Sequence, residues 1–318
     1  MYALKQIIHS IYDGYERLLA KEVMEGPIPS HIAIIQDGNR RYAAKLGEPL
    51  HHGHISGAHT TEKVLEWCIE IGVRQLTVYT FSTENFHRSY TEKVQLYKLF
   101  KQKFEEMCTD DRVHNHRARV RAVGNVELFP WWVRKAIKKV EEVTKDYDEF
   151  YLNVALAYGG RQEIVDVARV IARKVAAGEL KAENIDEKTI SAHLYQGNPI
   201  NVDLIIRTGG ERRMSNFLPW QASGNECAAY FCAPYWPEFR KIDFLRAIRT
   251  YQMREQERRH NTVLRVVKLL SECGRAEVGE VIAISKRILN TTRDDIMMIL
   301  RSLPKSSLPP LEVPDRPQ

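Results

Sequence analysis

The sequence predicts an α/β fold, a mostly parallel sheet covered by helices. Three observations lead there. Short apolar runs alternate with stretches of helical periodicity along most of the chain. The first run, Ile32-Ala33-Ile34-Ile35, has no polar interruption, the pattern of a strand buried on both faces. Several runs then break into glycines, small hydroxyls and arginines, the residues that parallel sheets present at the carboxyl ends of their strands.

In order along the chain, Leu4, Ile7, Ile8, Ile11, Tyr15, Leu18 and Leu19 recur at helical spacing and predict an amphipathic helix over residues 1–26. It either packs on the following domain or lies in a membrane interface as a peripheral contact. Gly26-Pro27-Ile28-Pro29 ends it. Strands are expected at 31–36, 75–81, 118–124, 151–157, 202–207 and 228–232. Helices are expected at 39–47, 57–72, 90–108, 131–144 and 161–177. Residues 241–301 read as helical, and the proline-rich end, PKSSLPPLEVPDRPQ, reads as disordered. The expected organisation is therefore a helix over 1–29, a main domain over 30–261, a helical extension over 262–303 and a tail over 304–318.

Bulk properties narrow the class. The 318 residues are 44% hydrophobic, enough for a sizeable core. The net charge of +6 suits anionic substrates, an anionic membrane surface or nucleic acid, without separating them. Nucleic-acid binding predicts a basic stripe interleaved with stacking aromatics, and the sequence has none. Cysteines 68, 108, 227, 232 and 273 have neither zinc spacing nor a CxxC pair, which fits reduced thiols in a cytoplasmic protein. No stretch is long and apolar enough for a membrane span, and no signal peptide is visible.

The strand ends carry the chemistry. The first delivers Asp37-Gly38-Asn39-Arg40-Arg41, the second Phe81-Ser82-Thr83-Glu84-Asn85-Phe86-His87-Arg88, the fourth Tyr158-Gly159-Gly160-Arg161. The fifth delivers Arg207-Thr208-Gly209-Gly210-Glu211-Arg212-Arg213, then Ser215 and Asn216. Glycines let backbone N–H groups approach an anion, and arginine grips phosphate with paired hydrogen bonds. Several arginines on one sheet edge point to one diphosphate or two. Asp37 among them would be repelled by phosphate unless a divalent cation lay between, and hard oxygen ligands shared with phosphate suit Mg²⁺. A P-loop, a GxGxxG and a DDxxD are all absent.

The chain resembles the cis-prenyltransferases, the undecaprenyl and dehydrodolichyl diphosphate synthase family. The matching stretches are HIAIIQDGNRRYA, GHISGA, TVYTFSTENFHR, LNVALAYGGRQEIV, VDLIIRTGGERRMSNFLPWQ and Tyr235-Trp236-Pro237-Glu238-Phe239, in the family's order. The arginine doublet and Tyr42 are closer to eukaryotic and archaeal members than to bacterial ones. The resemblance implies a six-stranded, mostly parallel sheet surrounded by helices, with a hydrophobic tunnel beside it. It implies condensation of isopentenyl diphosphate with an allylic diphosphate, Mg²⁺ as cofactor, and a homodimer. It implies Asp37 as the metal and diphosphate residue, with Ser82 and Asn85 at the reacting centre. Gly38, Asn39, Arg40, Arg41 and His54 then belong to the allylic diphosphate site, bordered by Arg88, with Phe81 and Phe86 along the allylic chain. Arg207, Arg213 and Ser215 belong to the isopentenyl diphosphate site, joined by Arg259 from the partner chain, and Glu226 is a second metal residue.

Departures from the family pattern keep alternatives open. Leu50 stands where an arginine usually grips the allylic diphosphate, with His51 or His52 as a substitute. Gln36 replaces a usual methionine, and Asn261 replaces the glycine of a C-terminal arginine–any–glycine motif at Arg259. The alternatives are an irregular, head-to-middle joining of two allylic diphosphates on the same fold, and a non-catalytic accessory subunit of a heteromeric synthase. The tunnel is expected between helices 57–72 and 90–108, beside Trp67, Leu96, Phe100 and Phe104, although ordinary core would look the same in sequence.

Overall fold

The computed structural model describes residues 2–197, 200–222, 227–272 and 277–303, with side chains from Tyr12 onward. The expected tail over 304–318 lies outside the described residues. Among the described residues no helix is long and apolar enough to cross a membrane.

The chain forms two compact units, residues 1–251 and 252–318. In the first, helix α1 (Tyr2–Met24) precedes strand β1 (His31–Ile35), α2 (Asn39–Leu46), α3 (Leu50–Glu70), β2 (Gln75–Ser82), α4 (Tyr90–Met107) and α5 (Asp111–Asn115). Strand β3 (Ala118–Val123), α6 (Trp131–Val143), β4 (Phe150–Tyr158), α7 (Gly160–Ala176), α8 (Glu187–His193), β5 (Leu204–Arg207) and β6 (Ala228–Phe231) follow. Helix α9 (Lys241–Glu272) runs from the first unit into the second, which continues with α10 (Val278–Leu289) and α11 (Arg293–Ser302).

The strands form one six-stranded sheet, ordered β3-β4-β2-β1-β5-β6, with every neighbouring pair parallel. The six expected strands and five expected helices are all present. The structure adds the short helices α5 and α8, whose few residues carry too little periodicity to read. Strand β1 is central and buried along its whole length. Ile32 and Ile34 enter the larger core, with Val64, Leu76, Val78, Phe100, Trp236 and Phe244. Ala33 and Ile35 enter a second core on the opposite face, with Tyr79, Tyr158, Phe217 and Leu218. This two-sided burial is the cause of the unbroken apolar run. Leu19 and Val23 of α1 are buried in the larger core, while Tyr12, Tyr15, Leu18 and Met24 remain exposed. In the second unit, α10, α11 and part of α9 enclose their own core around Val263, Val267, Val281 and Ile296.

Two features of the sheet position the site. First, β1 lies between β2 and β5, with Ile35 opposite Tyr79 on one side and Arg207 on the other. The chain's direction of progress across the sheet reverses here, and ligands of open parallel sheets bind at such points, beyond the carboxyl ends. Second, the β2–β4 register slips between Tyr79 and Phe81 and again before Ser82, and Ala157 opposite has a φ of 49°. This bulge makes Thr80 an extra residue in β2, and bulges commonly re-aim side chains beside active sites.

A polar network sits inside the sheet. His31 Nδ1 lies 3.0 Å from the Ile200 carbonyl and Nε2 lies 2.8 Å from Thr77 Oγ1, which also accepts from Asn153. The carbonyl must receive a hydrogen, so Nδ1 carries it and Nε2 accepts from Thr77. Burial of this neutral ring lowers the His31 pKa to about 4, against two opposing backbone carbonyl contacts. The unfolded chain takes up the proton near its ordinary value, so between about pH 6.5 and pH 4 it binds more protons than the native state. Stability should therefore fall with pH through that window, by roughly 3 kcal/mol for this group at the acid end. Thermal unfolding across pH 7 to 4 should show that fall, and His31→Asn should flatten it. An unchanged slope in the variant would contradict the assignment.

Candidate active site

The turn after β1 is shaped by one glycine. Gly38 has a φ of 108°, and a Cβ there would come within 2.7 Å of the Tyr235 ring. No other residue fits both the left-handed backbone and the space. Gly38 caps α2, whose first N–H groups have no acceptor within the helix. Helix α3 packs tightly on this turn through Gly57, where a Cβ would meet Asn39 Oδ1 at 2.4 Å.

Asp37 is the centre of the site. Its Oδ2 accepts from Arg207 at 2.9 Å and its Oδ1 from Arg41 at 3.0 Å. Its carbonyl accepts from the Thr208 hydroxyl at 2.7 Å and from the Trp236 N–H at 3.0 Å. Arg207 is 3% exposed, so its charge needs a carboxylate beside it. The same guanidinium donates to the Arg213 carbonyl and the Ser215 hydroxyl, both at 2.6 Å. These bonds hold a loop in which Ser215, Asn216 and Leu218 all have positive φ, an unusual run for residues other than glycine. Arg41 also donates to the Gly209 carbonyl at 3.0 Å and lies over the Tyr235 ring.

These groups line a polar pocket of about 510 Å³. Among its walls are Asp37, Arg40, Arg41, Arg88 and Arg207, four cations against one carboxylate, so the pocket favours an anion. Gly38, Asn39, His54, Ser82, Asn85, Ser215 and Leu50 also line it. Asn85 Oδ1 accepts from the Ser82 backbone N–H at 3.1 Å. Two buried atoms of the wall, Arg207 Nε and Asn39 Oδ1, have no partner within the protein, as a site shaped for a ligand would leave them.

Other sequence candidates fall elsewhere. Arg213 turns its side chain into solvent and contributes its carbonyl. Phe81 and Phe86 belong to an aromatic cluster with Phe129 and line neither this pocket nor the cavity described next. Arg259 lies in the second unit, where Glu255 pairs with it at 2.8 Å. Glu226 lies outside the described residues. His52 lies 3.2 Å from Glu48 and does not line the pocket.

An apolar cavity of about 110 Å³ adjoins the pocket, between α3, α4 and the sheet. Leu65, Val78, Leu96, Phe100, Phe104 and Leu152 line it, and Gln36, Asn39, His54 and Thr80 are walls of both spaces. Trp67 is not among them. It packs against Phe239 and Phe244, on the other side of α3 from the cavity, so it does not border the space as expected.

Glu92 is the site residue that sequence reasoning missed. Buried on α4, it accepts from Arg88 at 3.0 Å, lies 3.3 Å from His54 Nε2 and 3.8 Å from Arg40. Burial, then the Arg88 charge, lowers the His54 pKa to about 4 despite Glu92, so the ring is neutral near pH 7. A weak signal was the four-residue spacing between Arg88, just before α4, and Glu92 in its first turn.

Among the described residues no three His, Cys, Asp or Glu side chains cluster as a self-sufficient metal site. Asp37 is nevertheless a fitting ligand for Mg²⁺, which is commonly held by one or two carboxylates together with substrate phosphates. The arginines around it would draw in those phosphates.

The prenyltransferase family model described as undecaprenyl diphosphate synthase matches residues 35–260. The chain is 51% identical over 261 residues to the tritrans,polycis-undecaprenyl-diphosphate synthase (geranylgeranyl-diphosphate specific) of Methanosarcina mazei, covering 81% of this chain and 88% of that one. It is 54% identical over 250 residues to the synthase of the same name from Archaeoglobus fulgidus, covering 78% and 98%. The crystal structure of lavandulyl diphosphate synthase from Lavandula x intermedia, in complex with dimethylallyl diphosphate, is similar with a TM-score of 0.65. Its sequence identity is 31%, and the likeness covers 71% of this chain and 95% of that one.

Removing buried Glu92 leaves the partly buried Arg88 without its carboxylate. Glu92→Ala should lower unfolding stability by about 3 kcal/mol and weaken binding of inorganic diphosphate about tenfold. Chemical denaturation and calorimetric titration check both. Unchanged diphosphate affinity would mean that Glu92 does not position the arginines.

Proposed function

The chain belongs to the undecaprenyl diphosphate synthase family of prenyltransferases, and on that premise we propose that it lengthens geranylgeranyl diphosphate with isopentenyl diphosphate. The primer is the one named for the archaeal relatives, and each addition leaves a cis double bond. The observation that carries this reading is the shared wall. An arginine-lined pocket suited to diphosphates opens beside an apolar cavity suited to an isoprenoid chain. An irregular, head-to-middle joining of two allylic diphosphates is less favoured, because relatives named as undecaprenyl-diphosphate synthases match this chain at 51% and 54% identity.

In this reading the allylic diphosphate lies over the start of α2, against Gly38, Asn39, Arg40, Arg41 and His54, with Arg88 beside it. The helix N-terminus and the guanidinium groups favour its charge. Isopentenyl diphosphate lies against Arg207 and Ser215, and the exposed Arg213 side chain folds over it from the loop. Asp37 would hold Mg²⁺, and the ion would supply Lewis-acid neutralisation of the departing diphosphate. As the allylic carbon–oxygen bond breaks, the arginines stabilise the charge that gathers on the leaving group. The freed carbon bonds to the alkene of isopentenyl diphosphate, and one proton is lost to a diphosphate oxygen. With Asn85 Oδ1 engaged by the Ser82 N–H, the Asn85 NH₂ remains to orient that oxygen. The enzyme works as a homodimer, with Arg259 reaching the partner's site.

The test is incubation of the purified protein with geranylgeranyl diphosphate, isopentenyl diphosphate and Mg²⁺, followed by mass spectrometry. Products longer than the primer by multiples of five carbons are expected, and chelation should abolish them. Asp37→Asn, which keeps the shape beside buried Arg207, should lower turnover about a hundredfold or more. Mixing inactive Asp37→Asn with inactive Arg259→Ala should restore about a quarter of wild-type activity, because random pairing gives hybrid dimers with one intact site. Unextended primer would overturn the function. A mixture that stays inactive although subunits exchange would overturn the Arg259 assignment alone.

A further inference from the structure

We propose that Gln36, Thr61 and Thr80 form a hydrogen-bonded collar at the passage between the two spaces, and that its internal pairing lets the growing chain advance. The inference rests on the elongation reading above and concerns how far elongation proceeds.

The collar joins three elements. Gln36 follows β1, Thr80 is the extra residue in the bulge of β2, and Thr61 lies on α3. Gln36 and Thr80 are walls of both the polar pocket and the apolar cavity, and Thr61 lines the cavity beside them. The direction of each hydrogen bond is settled by chemistry. The Thr61 hydroxyl donates to the Gly57 carbonyl of its own helix at 2.9 Å. Its oxygen can therefore only accept, and it takes a hydrogen from Gln36 Nε2 at 2.6 Å. Gln36 Oε1 is then turned to Thr80, whose hydroxyl donates to it at 3.3 Å. Both hydroxyl hydrogens and one amide hydrogen are thus engaged within the protein.

An apolar chain moving from pocket to cavity expels water from this passage. A polar group that depends on water for its partner then loses it without replacement, a cost borne again at every advance. Groups paired with each other lose little. Strand alternation puts the Thr80 hydroxyl on the same face as Val78, toward the helices, and the bulge leaves Thr80 without a register partner on β4. Gln36 is accordingly a positioning and specificity-determining residue, acting on chain advance and not on the bond-making step.

Thr61→Val keeps the side chain's shape and strands Gln36 Nε2. The later condensations should slow about fivefold or more relative to the first, shifting products to shorter chains. Adding Gln36→Met removes the stranded amide altogether, and the double variant should return to longer products. Thr80→Val repeats the test from the other side by stranding Gln36 Oε1. The assay is product-length distribution by mass spectrometry, with the first condensation timed separately in a single turnover. A wild-type distribution from both threonine variants would overturn the collar. Short products persisting in the double variant would overturn it too, by making shape the cause. A wild-type protein that extends no primer would overturn the elongation reading and the collar with it.

Discussion

Two guanidinium groups close on one carboxylate where β1 and β5 end side by side, and most of the site hangs from that contact. The sheet forces it. Parallel pairing sets Ile35 opposite Arg207, so Asp37 emerges next to the Arg207 side chain. Arg207 is deeply buried, and a buried guanidinium is costly without a carboxylate beside it. In return its remaining donors fasten the strained loop through Arg213 and Ser215. The Asp37 carbonyl meanwhile takes hydrogens from Thr208 and Trp236, and Arg41 bridges Asp37 to the Gly209 carbonyl. The segments after β1, β5 and β6 are thereby tied to one another before any substrate arrives.

Such preorganisation is useful for chemistry whose main demand is stabilisation of a departing diphosphate. Dipoles and charges held by the fold need not reorganise as the leaving group gains charge. The same arrangement divides the site in two. Cations gather on one side of Gln36, Asn39, His54 and Thr80, and aliphatic and aromatic side chains gather on the other. Glu92 works beneath the cations, because Arg88, Arg40 and His54 crowd together and need a common partner.

Much of this was legible in the amino-acid order, for local reasons. Strand β1 reads as an unbroken apolar run because both of its faces are covered, and Gly38 marks a turn because only glycine fits there. The Asp37 and Arg207 segments could be named as strand ends, and parallel topology then brought them together. Glu92 could not be read this way. A glutamate near the start of a helix usually faces water, and two of its partners, Arg40 and His54, come from segments distant in sequence. The bulge at Thr80 depends on the pairing of β2 with β4, which no local pattern records. Trp67 stands two residues after the cavity residue Leu65, about 200° round α3, so the spacing itself turns it away from the cavity toward Phe239 and Phe244.

The central claim is that the Asp37–Arg207 pair organises the site as well as the fold. A double-mutant cycle of Asp37→Asn and Arg207→Gln, read in both unfolding stability and affinity for inorganic diphosphate, addresses it directly. Each single variant should be destabilised, and the double variant should lose less than the two losses combined, by about 1–3 kcal/mol of coupling. Diphosphate affinity should show coupling of the same sign. Additive losses in both readouts would contradict the account, because the two residues would then act independently despite lying 2.9 Å apart.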